Sequence, residues 1–385
     1  MTTFTQNGRL IFYTTHDCTA NCAHCITYSQ PGCPGTLTFV QMRDAIDALH
    51  SLSPLRLVIF TGGEPLLLGK DLLDTISYAD SFGISTRVVT NAFWADTPEN
   101  AGKVLSELRE AGLKEINVST DDFHAPYVPF ENVRNVYNGI RGMGFVSFVV
   151  ANCVIGGDVI TPEYIVQELG DEFYFRYEDN GNEAPLPPPS EDGTTYVLSN
   201  RTLQRLGRAQ APGISDKIKN PRNQTQMNVG CRNIAADAVL SADNHLLLCC
   251  GVYAGGLAIL DRGEFLVSSV AETFEKAHDD VFVNAIAHLG PYTIRNFILS
   301  HDPSVVFPEM YAHVCEICQS ILTNDKAVAV LQSHTAELAR LLLLVLELKE
   351  SVQNTITLND EDENPMSHKS HELLHTDHNA CSMPM

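Results

Sequence analysis

Between residues 9 and 176 the chain alternates short apolar, β-branched runs with longer segments whose apolar positions recur every three to four residues. The runs at 9–14, 56–61, 85–90, 115–120, 145–150 and 172–176 read as strands. The segments at 39–51, 70–82, 99–111 and 131–141 carry the helical spacing. Strands alternating with helices predict a parallel sheet with helices packed outside it. Six such units favour an α/β fold of the partial (β/α)6, TIM-like barrel kind over 1–178, although the periodicity alone also fits an open nucleotide-binding sheet. In either case the chemistry belongs at the carboxyl ends of the strands.

The alternation stops near residue 178. Pro185, Pro187, Pro188 and Pro189 mark a linker over 179–230, with a short helical piece at 201–208. The segment 231–325 reads as a smaller, β-rich and cysteine-rich domain, with hairpin signals at Asp243-Asn244 and Gly255-Gly256. One helix is expected over 326–352, its apolar face at 341–348 packing on the body of the protein or, as the alternative, on another copy. Periodicity is lost over 353–385, where an acidic run at 360–363 precedes His368, His371, His375, His378 and Cys381. Such a tail is expected to be disordered, with weak metal binding as the other reading.

Composition narrows the function classes. Of 385 residues, 47 are acidic and 25 are Lys or Arg, a net charge of −22. That excess argues against nucleic acid, whose phosphates are neutralised by basic side chains, and it mildly favours a cationic substrate. The stretch 1–9 has no basic region leading into an apolar one, as an export signal would. No apolar run approaches the ~18–20 residues of a membrane span. A cytoplasmic protein is therefore expected, and in the reducing cytosol its 11 cysteines suit metal ligation or catalysis better than disulfides.

Three of these cysteines form the sharpest motif, Cys18-Thr-Ala-Asn-Cys22-Ala-His-Cys25, placed just after the first predicted strand. Iron–sulfur clusters are held by thiolates, normally four for a four-iron cluster. Three from one loop leave one iron open to another ligand. Structural zinc is the alternative, but it wants four protein ligands, and Cys33 lies beyond Pro31-Gly32. After the second strand comes Thr61-Gly62-Gly63-Glu64-Pro65. The two segments together resemble the radical S-adenosylmethionine enzymes.

That resemblance implies a [4Fe–4S] cluster on Cys18, Cys22 and Cys25, with S-adenosylmethionine chelating the open iron. It implies that Gly62, Gly63, Glu64 and Pro65 meet the methionyl amino group, glycine permitting close backbone approach and the carboxylate pairing with an ammonium. His24 falls where an aromatic residue often lies near adenine; simple loop packing is its other reading. Ser119 and Asp121 resemble a ribose-contacting segment, capping being the alternative for Asp121. Asn91 and Asn152 sit at corresponding strand edges as candidate cofactor contacts.

The later cysteines resemble the twitch extension, a short relative of the SPASM domain, in which Cys231, one of Cys249 and Cys250, Cys315 and Cys318 would hold an auxiliary [4Fe–4S] cluster. A zinc site is the alternative there. Gly207-Arg208-Ala209 resembles a bridging segment of such proteins. The spare member of the Cys249-Cys250 pair, or Cys153, is a candidate hydrogen-atom donor or a packed core residue. The implied enzyme, of oxidoreductase or isomerase type, takes electrons from a flavodoxin, ferredoxin or reductase. Its substrate is expected to be a ribosomal peptide precursor that it cross-links, oxidises or epimerises. A small natural-product intermediate such as an aminoglycoside is the alternative, and a non-catalytic iron–sulfur or zinc protein a third reading.

Overall fold

The computed structural model describes residues 8–170, 173–177, 188–218, 224–252 and 254–363, with side chains to residue 351. The tail histidines at 368–378, Cys381 and most of the proline-rich stretch lie outside the described residues.

The first half follows the predicted alternation. It runs β1 (Arg9–Tyr13), α1 (Phe39–Leu52), β2 (Leu57–Thr61), α2 (Lys70–Ser81), β3 (Ser85–Thr90), α3 (Pro98–Glu110), β4 (Glu115–Ser119), α4 (Phe130–Ile140), β5 (Ser147–Val154), α5 (Pro162–Leu169) and β6 (Tyr174–Tyr177). Local chemistry sets the helix starts. Thr38 and Gln41 form a capping box on α1, while Thr97 and Thr161 cap α3 and α5 ahead of prolines in the first turn. The chain then continues through β7 (Thr195–Thr202), α6 (Gln224–Met227), β8 (Asp237–Leu240), β9 (His245–Leu247) and β10 (Asp261–Glu264). It ends in α7 (Val270–Asp279), α8 (Val281–His288), α9 (Pro291–His301), α10 (Val314–Leu322), α11 (Asp325–Ser333) and α12 (Thr335–Glu363).

The ten strands among the described residues belong to one sheet, ordered β10-β9-β8-β1-β2-β3-β4-β5-β7-β6. The strands from β8 across to β6 run parallel to their neighbours, and β9 and β10 complete the sheet antiparallel. The central strands are covered on both faces, as parallel strands require: Leu10, Ile11, Phe12, Val58, Ile59 and Phe60 are all buried. Two ion pairs are buried among them. Arg9 grips Asp237 of β8 through two bonds of 2.8 and 2.9 Å, and Arg87 of β3 meets Glu115 of β4 at 2.8 Å.

The architecture corrects several expectations. The sheet does not end near 178: β7 enters between β5 and β6, and of the helical piece expected at 201–208 the first two residues end β7 while a 3₁₀ turn starts only at Gly207. The run Thr194-Thr-Tyr-Val-Leu198 carries the β-branched signal, masked by the prolines before it. The hairpin at Asp243-Asn244 forms, with Asn244 at φ +62° between antiparallel β8 and β9. However, 231–325 is mostly helical rather than β-rich. Its strands extend the main sheet, and Val270, Phe274 and Ala277, or Ile294 and Ile298, bury at helical spacing. The helix expected over 326–352 is two, bent by 75° at His334, and the backbone stays helical to Glu363, into the expected tail. Leu338 and Leu342 pack inward while Leu343, Leu344 and Leu348 remain exposed, so only part of the 341–348 face is covered. Among the described residues, no single helix is long and apolar enough to cross a membrane.

Candidate active site

The cysteine loop leaves β1 at the carboxyl edge of the sheet. Cys22 is buried, and Cys18 and Cys25 are half-buried. Asn91, just past β3, donates from Nδ2 to Cys18 Sγ at 3.7 Å and to Thr19 Oγ1 at 3.0 Å. Thr27 Oγ1 lies 3.4 Å from Cys25 Sγ. Burial, with Glu64, Cys22 and Cys25 nearby, pushes the Cys18 thiol up to about 12. Thiols crowded beside a carboxylate become thiolates only when a cation joins them, so this donor set suits a metal cluster.

Three segments distant in sequence clasp the loop. Gly63 N–H donates to Thr15 O at 2.7 Å and Glu64 N–H to Asp17 O at 2.9 Å. Tyr127 Oη donates to Asn21 O at 2.8 Å. Arg208 donates from Nε to Cys22 O at 2.8 Å and from Nη2 to Ser29 O at 2.7 Å, and its backbone N–H to Cys25 O at 3.0 Å. A Cβ on Gly207, which has φ +51°, would fall 2.4 Å from Cys25 O. Gly207-Arg208-Ala209 is thus a strap across the cysteine loop.

The Gly62–Pro65 segment packs closely on the start of the cysteine loop. A Cβ on Gly63 would sit 1.9 Å from Asp17 O, and one on Gly62 2.9 Å from Thr15 O. The missing side chains at Gly62 and Gly63 admit the backbone of the cysteine loop. Glu64 is fully buried. It accepts from Thr90 Oγ1 at 2.8 Å, Asn91 N–H at 2.9 Å and Leu66 N–H at 3.1 Å, while Pro65 begins a 3₁₀ turn. Thr90 Oγ1 accepts in turn from Ala92 N–H and Trp94 Nε1, both at 3.1 Å. Burial raises the Glu64 carboxyl to about 7 despite these donors. Its side chain anchors the segment through these three bonds.

Asp121 is likewise engaged. Its Oδ1 accepts from Phe123 N–H at 2.8 Å and His124 N–H at 2.9 Å, the capping alternative, and lies 2.9 Å from His124 Nδ1. Its Oδ2 is 3.2 Å from His24 Nε2, an ion-pair distance off the hydrogen-bonding direction. Burial opposes charge on Asp121, but the two imidazoles hold its carboxyl well below the usual range. Burial also opposes charge on His124, yet Asp121 holds it well above the usual range, facing the Cys22 thiol. For His24 burial wins and lowers its affinity for a proton. His24 stacks on Phe123 with ring centroids 4.7 Å apart, the packing role rather than an open face.

Ser119 is buried at the end of β4. Asn152 and Cys153 are not at an open strand edge, because β5 runs to Val154 and both lie within it. Asn152 Nδ2 donates to Thr120 O and Ile160 O at 2.9 and 3.0 Å. Cys153 packs with Leu203, Ala209, Ile218 and Ala312, and burial pushes its thiol well up.

The late cysteines converge from three elements. Cys249 follows β9, Cys231 is tied through its N–H to Ile286 O of α8 at 3.0 Å, and Cys315 and Cys318 share the first turns of α10, whose N-terminal dipole favours thiolate. Burial and mutual repulsion raise the Cys249 thiol to about 12 and those of Cys315 and Cys318 well up. A Cβ on Gly251 would lie 3.2 Å from Cys315 Sγ and 4.0 Å from Cys249 Sγ, so glycine keeps this space open. Cys249 is the member of the doubled pair that joins the group. Cys250 turns to the core, its carbonyl accepting from Tyr13 Oη at 3.1 Å and its Sγ 4.0 Å from Asp237 Oδ2. Between Cys315 and Cys318, buried Glu316 accepts from Arg205 N–H at 2.6 Å and Ala312 N–H at 2.9 Å, fastening α10 to the strap.

Residues 12–166 match the radical SAM superfamily. The chain carries a radical SAM domain. A [4Fe–4S] cluster and S-adenosylmethionine are its cofactors, and the Cys18, Cys22 and Cys25 donor set fits such a cluster. Over 154 residues, 40% of its length, this chain is 22% identical to the putative peptide biosynthesis protein YydG of Bacillus subtilis (strain 168). The match spans 48% of that relative. Among solved structures, BtrN in complex with AdoMet and 2-DOIA aligns with 74% of this chain and 88% of its own, at 14% identity and a TM-score of 0.43. Native anSMEcpe with bound AdoMet and Cp18Cys peptide aligns with 88% of this chain and 99% of its own, at 13% identity and a TM-score of 0.43.

Thr90, Trp94, His124, Tyr127, Arg205 and Glu316 carried no such expectation from the sequence, whereas Asn91 did. His124 carried a usable signal, three residues after Asp121 at the end of a predicted strand. The others act through contacts with distant segments.

Proposed function

We propose that this radical SAM enzyme uses Cys18, Cys22 and Cys25 to hold the cluster and modifies a peptide precursor at an unactivated carbon. A cluster on Cys18, Cys22 and Cys25, reduced by an external donor of the flavodoxin or ferredoxin type, would supply the one-electron reductive cleavage of S-adenosylmethionine, whose radical product would remove a hydrogen atom from the substrate. The protein's own residues do the positioning. Arg208, Tyr127 and the Gly62-Gly63 segment fix the loop, Asn91 donates to Cys18 Sγ, and buried Glu64 anchors the Gly62–Pro65 segment beside the cysteine loop. A peptide substrate is supported by the name of the Bacillus relative. Cys231, Cys249, Cys315 and Cys318 are the ligand set for an auxiliary cluster, supported by their convergence around Gly251.

The observation that carries the reading is three thiols on one loop at the sheet's carboxyl edge, one of them bonded by Asn91. Under anaerobic reduction with S-adenosylmethionine, Cys18→Ala is expected to abolish 5′-deoxyadenosine, measured by chromatography and mass spectrometry. Normal production by that variant would overturn the assignment. Solvent deuterium appearing in a candidate peptide without new unsaturation would mark epimerisation, and loss of two hydrogens would mark oxidation or cross-linking.

A further inference from the structure

We propose a further metal site, separate from both cysteine sets, for a divalent transition cation, formed by His301, His334 and Glu337 on the helical region. One ligand atom from each lies within 4.8 Å of the other two. His301 ends α9, His334 is the bend between α11 and α12, and Glu337 lies in the first turn of α12.

Hydrogen bonding fixes which imidazole nitrogens are available. His301 Nδ1 lies 2.9 Å from Phe297 O and 3.2 Å from Ser300 Oγ, whose own hydrogen goes to Phe297 O, and His334 Nδ1 lies 3.0 Å from Val330 O. A carbonyl only accepts, so each Nδ1 carries the hydrogen and each neutral ring presents its lone pair at Nε2. This is the tautomer and orienting bond that a metal-ligating histidine uses. His301 Nε2 is 3.0 Å from Glu337 Oε2, and with the ring neutral two lone pairs face each other across that gap. A proton or a cation must lie between them. A proton satisfies one nitrogen and one carboxylate oxygen, whereas a metal ion engages all three donors.

The surroundings agree. The ring centroids of His301 and His334 are 4.2 Å apart, the carboxyl end of α9 carries the negative end of its dipole, and Arg340 is the nearby cation a metal would compete with. Two histidines and a carboxylate form a recognised zinc ligand set. The Glu337 side chain is 57% exposed, which leaves room for water to complete the coordination. The metal would fasten the α11–α12 corner to α9 without touching either cysteine set.

The test titrates zinc chloride into anaerobic, chelator-washed full-chain protein with its clusters in place, followed by calorimetry and metal counting. The variant His301→Gln with His334→Gln is expected to bind one zinc fewer than the parent, and Glu337→Gln to bind that zinc at least about tenfold more weakly. Replacing His368, His371, His375 and His378 with Gln is expected to leave this equivalent in place. Zinc should also slow amide exchange across 331–341 in the parent and not in the double variant. An unchanged zinc count and affinity in the folded double variant would overturn the proposal. Loss of the same equivalent on changing only the tail histidines would overturn it as well.

Discussion

At the residue scale, Glu64 shows how a motif can be legible while its role is not. A glutamate after two glycines reads as a ligand, yet here it accepts three bonds inside the protein. Its carboxyl is raised from 4.5 to about 7, burial being the largest cause. The folded apoprotein therefore keeps a proton that the unfolded chain releases above pH 4.5. The resulting stability is fully present below pH 4.5 and is lost as pH rises through about 7, up to about 3 kcal/mol from this group. Trp94 is the single tryptophan and bonds to Thr90, so its emission reports on this network during urea unfolding. Glu64→Gln is expected to lower stability at acid pH by about 1–3 kcal/mol, because its amide would face the Asn91 N–H. It is also expected to flatten the decline between about pH 5 and pH 8. Parallel pH profiles for the two proteins would show that Glu64 is not the titrating group.

At the element scale, the strap at 207–209 links the two parts of the site. Its resemblance was readable in Gly207-Arg208-Ala209, but its purpose depends on a guanidinium bonding carbonyls at Cys22 and Ser29, 186 and 179 positions away. A planar fork can hold two such acceptors at once, which a lysine ammonium does poorly. Arg208→Lys is expected to lose the equivalent of one or two hydrogen bonds, about 1 kcal/mol each. Cluster absorbance should then decay roughly tenfold faster under an iron chelator, with secondary structure retained by circular dichroism. An unchanged decay rate would mean that the strap does not hold the loop. The helical expectations fared well where caps are local, as at Thr38 and Thr97, and failed at His334, where no proline or glycine announces the bend. Docking decides that bend: Ala327 and Leu331 bury on one side of it, Leu338 and Leu342 on the other.

At the scale of the whole molecule, one sheet carries both cysteine sets. β1 leads into the first loop, and β8, joined to β1 by the buried Arg9–Asp237 pair, leads through β9 to Cys249. Two clusters predict about eight irons per chain after anaerobic reconstitution and about four in Cys315→Ala. About four in the parent protein would remove the auxiliary cluster from the proposal. By itself the sequence determined the alternating α/β order, the start of most helices and the two cysteine groups, because hydrophobic periodicity, caps and ligand spacing are encoded within a few neighbouring residues. Only the tertiary structure decided that β7 lies between β5 and β6, that Cys249 rather than Cys250 joins the late group, and that Gly63 is required by Asp17 O. It alone brought His301 to His334 and Glu337. Each of these depends on which distant segments come within a few ångströms of one another, and packing sets that, not local pattern.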